Sequence, residues 1–302
     1  MTTSPRGICL IFNNTFEKPR VVKDSDGRIL PKRDGTHIDV EALKNVFSWL
    51  KFIAEPYQDF DKKNMLQILG KYRADTRMRT YDCFVCCILS HGFEKGVYCA
   101  EGEKIDFSEI RSYFTAENCQ TLIGKPKLFL VPAYQGLRNQ KVVYIDVFKE
   151  TEKEWYENNK IILANKPTLN PSILEVRNRK VIFIDSPPNT KIANSKEEQV
   201  NNENNISTSS CFPQSISNEA DINFFVGATP GTVSLRVADE GTWFVQEVKK
   251  VFIKYAENKP WSFLRQKINK NISEKCFDGV KMMSDGGLDT LTKEINFNPG
   301  KP

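Results

Sequence analysis

Residues 81–92 read YDCFVCCILSHG, and residues 124–136 read GKPKLFLVPAYQG. Each is a short apolar run closed by small or polar residues, the form taken by a strand buried on both faces of a sheet. The first run ends at Ser90-His91-Gly92 and the second at Pro132-Ala133-Tyr134-Gln135-Gly136. Adjacent strands of a parallel sheet bring their carboxyl ends to one crevice, where open α/β sheets hold their sites.

On either side of these runs, apolar strands alternate with amphipathic segments, the pattern of an α/β domain around a central sheet. Residues 7–12 read as the first buried strand. Val40, Leu43, Val46, Phe47, Leu50 and Ile53 then keep helical spacing, with Thr36 and Asp39 as a capping pair. Asp61 opens a second helix through Met65, Leu66, Ile68 and Leu69, and Asp106 with Glu109 caps a short third one. A further helix is expected over 147–158. From 186 to 218 the composition turns to Asn, Ser, Lys and Glu, too polar to offset its ordering entropy, and a mobile linker is expected there. Order resumes at INFFVGATPGTVSLR (222–236). Two helices follow, one with Phe244, Val248, Val251, Phe252 and Tyr255 on a face, the other with Trp261, Leu264, Ile268 and Ile272. At the end, Leu291, Ile295 and Phe297 alternate with polar residues in TLTKEINF (290–297), which predicts a half-buried edge strand.

The 302 residues are 40% hydrophobic and 27% charged, ordinary for a soluble domain. A net charge of +5, from 43 basic and 38 acidic residues, is too mild to point to nucleic acid. Lysines 249, 250, 254, 259, 267, 270 and 275 crowd the last helices and read as a solvated face. No signal-like stretch opens the sequence, and its longest apolar run falls far short of a membrane span, so a cytoplasmic protein without a membrane partner is expected. There the eight cysteines stay reduced. Cys83, Cys86 and Cys87 read as small core residues of a strand. With only His37 and His91 as histidines, neither a metal nor a cofactor is expected.

A His and a nucleophile at the ends of neighbouring strands are what a cysteine peptidase requires, since the imidazole assists the thiolate and protonates the leaving amine. Here a tyrosine stands at the reactive position. RGICLIFNN (6–14), RDGTHID (33–39), the two opening strings, EADINFFVGATPGTVSLR (219–236) and ADEGTWFVQ (238–246) together resemble the caspase family, most closely its initiator, death-effector class. The resemblance spans nearly the whole chain except 137–218.

The resemblance implies a caspase-like three-layer α/β sandwich with a central, mostly parallel sheet flanked by helices. It implies a large-subunit-like region over 1–185, an intersubunit linker over 186–218 and a small-subunit-like region over 219–302. Against the family's Gln-Ala-Cys nucleophile signature, Pro132 replaces the Gln and Tyr134 the Cys. His91 and Gly92 match the catalytic His and the oxyanion glycine. Arg33 and Arg236 match the two arginines that grip a substrate aspartate, with Trp243 lining a neighbouring wall. A phenol with a pKa near 10 is a poor nucleophile beside a thiol near 8.5. The expectation from this motif is therefore a protein that is not an enzyme: a pseudocaspase, as an insect decoy caspase would be, that pairs with and modulates an active initiator caspase. A peptidase with altered chemistry and a scaffold for death-domain adaptors are the alternatives. Leu291, Ile295 and Phe297 would anchor the edge strand that forms the dimer seam, for a homodimer as well. Asp185 in VIFIDSPP is the candidate cleavage point, with Asp146 as its competitor.

Overall fold

A computed structural model describes residues 1–22, 29–133, 216–230, 232–277 and 280–299, together with the backbone of Leu174–Val176 and Lys180–Ile184. Five parallel strands form the central sheet: β1 (Gly7–Asn13), β2 (Phe52–Gln58), β3 (Cys83–Leu89), β4 (Lys127–Val131) and β6 (Ile222–Val226). Their order is β6-β4-β3-β1-β2. A second, antiparallel sheet joins Leu174–Val176, β5 (Lys180–Ile184), β7 (Leu235–Val237) and β8 (Gly241–Thr242).

The strand pleat sorts side chains onto two faces. Cys9, Ile11, Cys83, Val85 and Cys87 pack against α1 (Thr36–Trp49), α4 (Trp243–Tyr255) and α5 (Trp261–Glu274). Ile8, Leu10, Phe12, Phe84, Cys86 and Ile88 pack against α2 (Lys62–Ala74) and α3 (Phe107–Ser112). The result is the three-layer sandwich with a parallel sheet that the sequence implied. The CxxCC cysteines are core residues, and burial pushes the thiols of Cys83 and Cys86 well up. Among the described residues no group of three His, Cys, Asp or Glu side chains is placed to hold a metal ion, and no helix is long and apolar enough to cross a membrane.

Four local expectations need correction. Asp106 stands at the N-cap of α3, but no side chain caps that helix, so Asp106 and Glu109 form no capping box. Ile53 belongs to β2, not to α1, which ends at Trp49. Thr36 and Asp39 do not cap α1: its N-cap is Gly35, left-handed at φ 82°, and no side chain caps the helix. Residues 290–297 form no strand. Ile295 and Phe297 instead sink into the core on the α5 face, while Leu291 is only partly buried there.

The segment that does border the sheet lies just before. Asp285 bridges Val226 and Asp289 bridges Asn223, both antiparallel. Four steps along one chain against three along the other leave one extra residue, a bulge. Gly287 accommodates it at φ 51°, where a Cβ would sit 2.7 Å from the Phe224 carbonyl oxygen. Behind this edge, the Trp261 indole Nε1 donates to Asn223 Oδ1 at 3.1 Å, and Asn223 Nδ2 donates to the Leu288 carbonyl at 3.2 Å. Trp261→Phe would strand the fully buried Asn223 oxygen. A loss of about 2 kcal/mol in urea unfolding is expected; a change within about 0.5 kcal/mol would mean that the bond carries no net stability.

Candidate functional site

The crevice lies at the carboxyl ends of β1, β3, β4 and β6. β1 ends on Asn13 and is followed by Asn14, both buried, and these two residues organise one wall. Asn14 Nδ2 donates to Ser90 Oγ and to the Tyr98 carbonyl, at 3.3 and 3.1 Å. The Asn14 carbonyl accepts from Arg33 Nη1 at 3.1 Å. The same Nη1 reaches Thr36 Oγ1 at 2.9 Å, and that hydroxyl donates to Asn13 Oδ1 at 2.6 Å. A buried network thus runs from the first arginine to the residue preceding His91. Its asparagines gave no sequence signal beyond standing at a strand end.

His91 follows β3 and is 1% exposed. Its Nε2 lies 2.7 Å from the Pro31 carbonyl, and its ring packs 4.8 Å from that of Phe16. A carbonyl only accepts, so Nε2 carries a proton and donates it to Pro31. Gly92 is buried and opens a two-residue strand facing Val97. Pro132 is buried at the end of β4, and a Cβ on Gly227 would come within 3.0 Å of its Cα. Tyr134, Asp146 and Asp185 lie outside the described residues, as do 186–215 of the expected linker and the helix expected over 147–158.

Arg236 arrives on β7, fully buried, between Phe183 of β5 and Thr242 of β8 in the antiparallel ladder. Its Nε donates to the Asp34 carbonyl at 2.9 Å, one residue beyond Arg33. Gly35, whose Cβ would lie 2.4 Å from the Ala238 oxygen, lets the two segments approach this closely. The two arginines predicted from sequence therefore share one neighbourhood. Trp243 is the first residue of α4. Its ring is packed into the core on the α1 face, with Lys275 Nζ 5.3 Å over it.

The acid in this neighbourhood is Asp39, which the sequence reading spent on a helix cap. It is fully buried, and its Oδ1 accepts the Thr242 amide at 2.9 Å. Burial pushes its carboxyl up to about 6, against the pull of the Thr242 amide and the Arg33 and Arg236 guanidiniums. An unfolded aspartate titrates near 3.9. The folded state therefore binds the proton more tightly, and the resulting cost is absent below about pH 4 and grows as pH rises through 6. Asp39→Asn keeps an acceptor for Thr242 without the ionisation. It should match the parent near pH 4 and exceed its stability by up to about 3 kcal/mol above pH 7. A gap that stays flat from pH 4 to 8 in urea titrations would show that Asp39 does not titrate in this range.

Two guanidinium groups against one carboxylate leave the site cationic, and rigid donor forks suit the bidentate capture of a carboxylate. The caspase domain model matches residues 6–293. Caspase-8 of Rattus norvegicus is 41% identical over 146 residues, covering 47% of this chain and 30% of the relative. Caspase-10 of Homo sapiens is 28% identical over 291 residues, 96% of this chain and 43% of the relative. Caspase-3 of Felis catus is 25% identical over 300 residues, 96% of this chain and 83% of the relative. The chain thus spans less than half the length of its caspase-8 and caspase-10 relatives.

These matches correct one expectation. The chain was expected not to be an enzyme, yet the matched family is one of peptidases, and relatives such as caspase-8 and caspase-3 are cysteine endopeptidases. The earlier expectation rested on two departures in one motif: Pro132, which is buried at the end of β4, and Tyr134, which lies outside the described residues.

Proposed function

Because the chain belongs to the caspase family, we propose that it works within caspase proteolysis as a reader of aspartate side chains, with Arg33 and Arg236 as the groups that take the carboxylate. What supports this reading is the convergence of the two arginines. They come from segments some 200 residues apart in sequence, and the Arg236 Nε–Asp34 bond ties one segment to the other. Both are buried, so each has already been desolvated by the fold, and an entering carboxylate would meet ordered donors in a low dielectric. His91 and Gly92 stand at the end of β3 in the same crevice, where the scissile bond of a bound peptide would lie.

The experiment is a calorimetric titration with two short peptides that differ only in ending on Asp or Asn. The aspartate peptide should bind at least about tenfold more tightly. Equal affinity would overturn the proposal.

A second element of the proposal is pairing with an initiator caspase chain, or with a second copy of itself, so as to modulate apoptotic or innate-immune proteolysis. The observation favouring it is the edge at 285–290. Gly287 and Asp289 are exposed residues, and among the described residues their backbone amides donate to no backbone acceptor. An edge with outward-facing donors is a template for a further strand. Mixing the chain with an initiator caspase catalytic domain should yield a 1:1 complex by sedimentation and an altered rate of aspartyl-peptide cleavage. Unchanged sedimentation and rate would dismiss this element alone.

A further inference from the structure

Asp39 is the buried carboxylate beside the two arginines. It is fully buried on the first turn of α1, three residues after Thr36, whose hydroxyl engages Arg33. Its Oδ1 accepts the amide of Thr242, and Thr242 is the residue paired directly with Arg236 across the β7–β8 ladder. Thr242 is also the N-cap of α4, its hydroxyl accepting the Val245 amide at 3.2 Å. One carboxylate therefore joins α1, whose Thr36 engages Arg33, to the hairpin that carries Arg236.

The chain makes room for this contact at a conformational cost. Gly241 sits at φ 87°, and a Cβ there would lie 2.3 Å from Asp39 Oδ1. Only glycine lets the backbone pass so near the carboxylate while holding that left-handed turn. The carboxylate acts on both arginines through the segments it fastens, and both guanidiniums in turn pull its own carboxyl downward against burial.

We propose that Asp39 is the positioning residue of the acid-reading pocket, a buried carboxylate that fastens the β8–α4 junction to helix α1 and so holds Arg33 and Arg236 at one spacing. The inference rests on the pocket reading above, because spacing matters only if one ligand carboxylate is taken by both forks. Asp39 touches no ligand itself. Its effect should therefore fall on discrimination between acidic and neutral peptides, whereas a general loss of structure would weaken both alike.

The test measures, in one chain, the affinity ratio for peptides ending in Asp and in Asn, with hydrogen exchange at the Thr242 amide. Asp39→Ala should lower the ratio by about tenfold while leaving the affinity for the Asn peptide unchanged. Asp39→Asn, which keeps the acceptor, should restore most of the ratio. Gly241→Ala, which intrudes on the carboxylate, should reproduce the loss. A parental ratio in Asp39→Ala would overturn the inference. Should the parent itself fail to prefer the acidic peptide, the pocket reading falls, and exchange then judges the fastening by itself. A Thr242 amide protected in the parent and exposed by Asp39→Ala supports it. A Thr242 amide that exchanges as freely in the parent as an open turn refutes it, and that measurement needs no variant to fold.

Discussion

Arg236→Ala is expected to weaken binding of an aspartate-ended peptide by on the order of 100-fold, because it removes a desolvated guanidinium from a charge-assisted contact. The site is well suited to the test. The backbone at Arg236 is held on both sides, by Phe183 and by Thr242, so truncation should leave β7 in place. What changes is the charge balance: Asp39 loses one of the guanidiniums that hold its carboxyl down, and its carboxyl should move further upward. Arg236→Lys should rescue little, since an ammonium cannot reproduce a planar fork whose Nε bonds the Asp34 carbonyl. Calorimetry on the three proteins checks this, with thermal unfolding to confirm that each is folded. Near-parental affinity in Arg236→Ala would remove this arginine from the pocket.

The second large effect is expected at the sheet edge. Gly287→Val places a branched side chain at φ 51°, with its Cβ 2.7 Å from the backbone oxygen of Phe224. Backbone cannot yield as a flexible side chain would, so the bulge must open, at a cost of roughly 1–3 kcal/mol. The bridges at Asp285 and Asp289 would loosen, and with them the surface offered to a partner chain. Binding to an initiator caspase domain should fall at least about tenfold, while Arg33, Arg236 and the acidic-peptide preference remain intact. A complex undiminished in sedimentation, with normal circular dichroism, would move the interface elsewhere.

How far the sequence carried the fold depended on how fully each element is buried. β1, β3, β4 and β6 are buried at every position, and their continuous apolar runs stand out without any neighbours to interpret them. β2 did not stand out. It is an edge strand with an irregular burial pattern and a proline at position 56, and Ile53 happens to extend the helical spacing of α1. The C-terminal alternation misled for the opposite reason. Ile295 and Phe297 are buried two apart, but by a chain that leaves the edge and tucks beneath α5, whereas the bridged residues 285–289 carry Gly286-Gly287 and no period at all.

The site divides the same way. Arg33, His91, Gly92 and Arg236 were legible because their motifs are contiguous strings. The Asp39–Thr242 contact joins residues 203 apart. Its sequence trace was a glycine, Gly241, whose reason becomes visible only when the carboxylate it clears is in view.

The claim that Arg33 and Arg236 form one pocket is tested most directly by a double-mutant cycle. Arg33→Ala, Arg236→Ala and the double variant are compared for the affinity ratio between peptides ending in Asp and in Asn. If one carboxylate is gripped by both forks, either single change should erase most of the preference and the second should add little, a non-additivity of 1 kcal/mol or more by rough expectation for residues sharing a partner. Additive losses, or a parental chain that binds both peptides equally, would contradict the account.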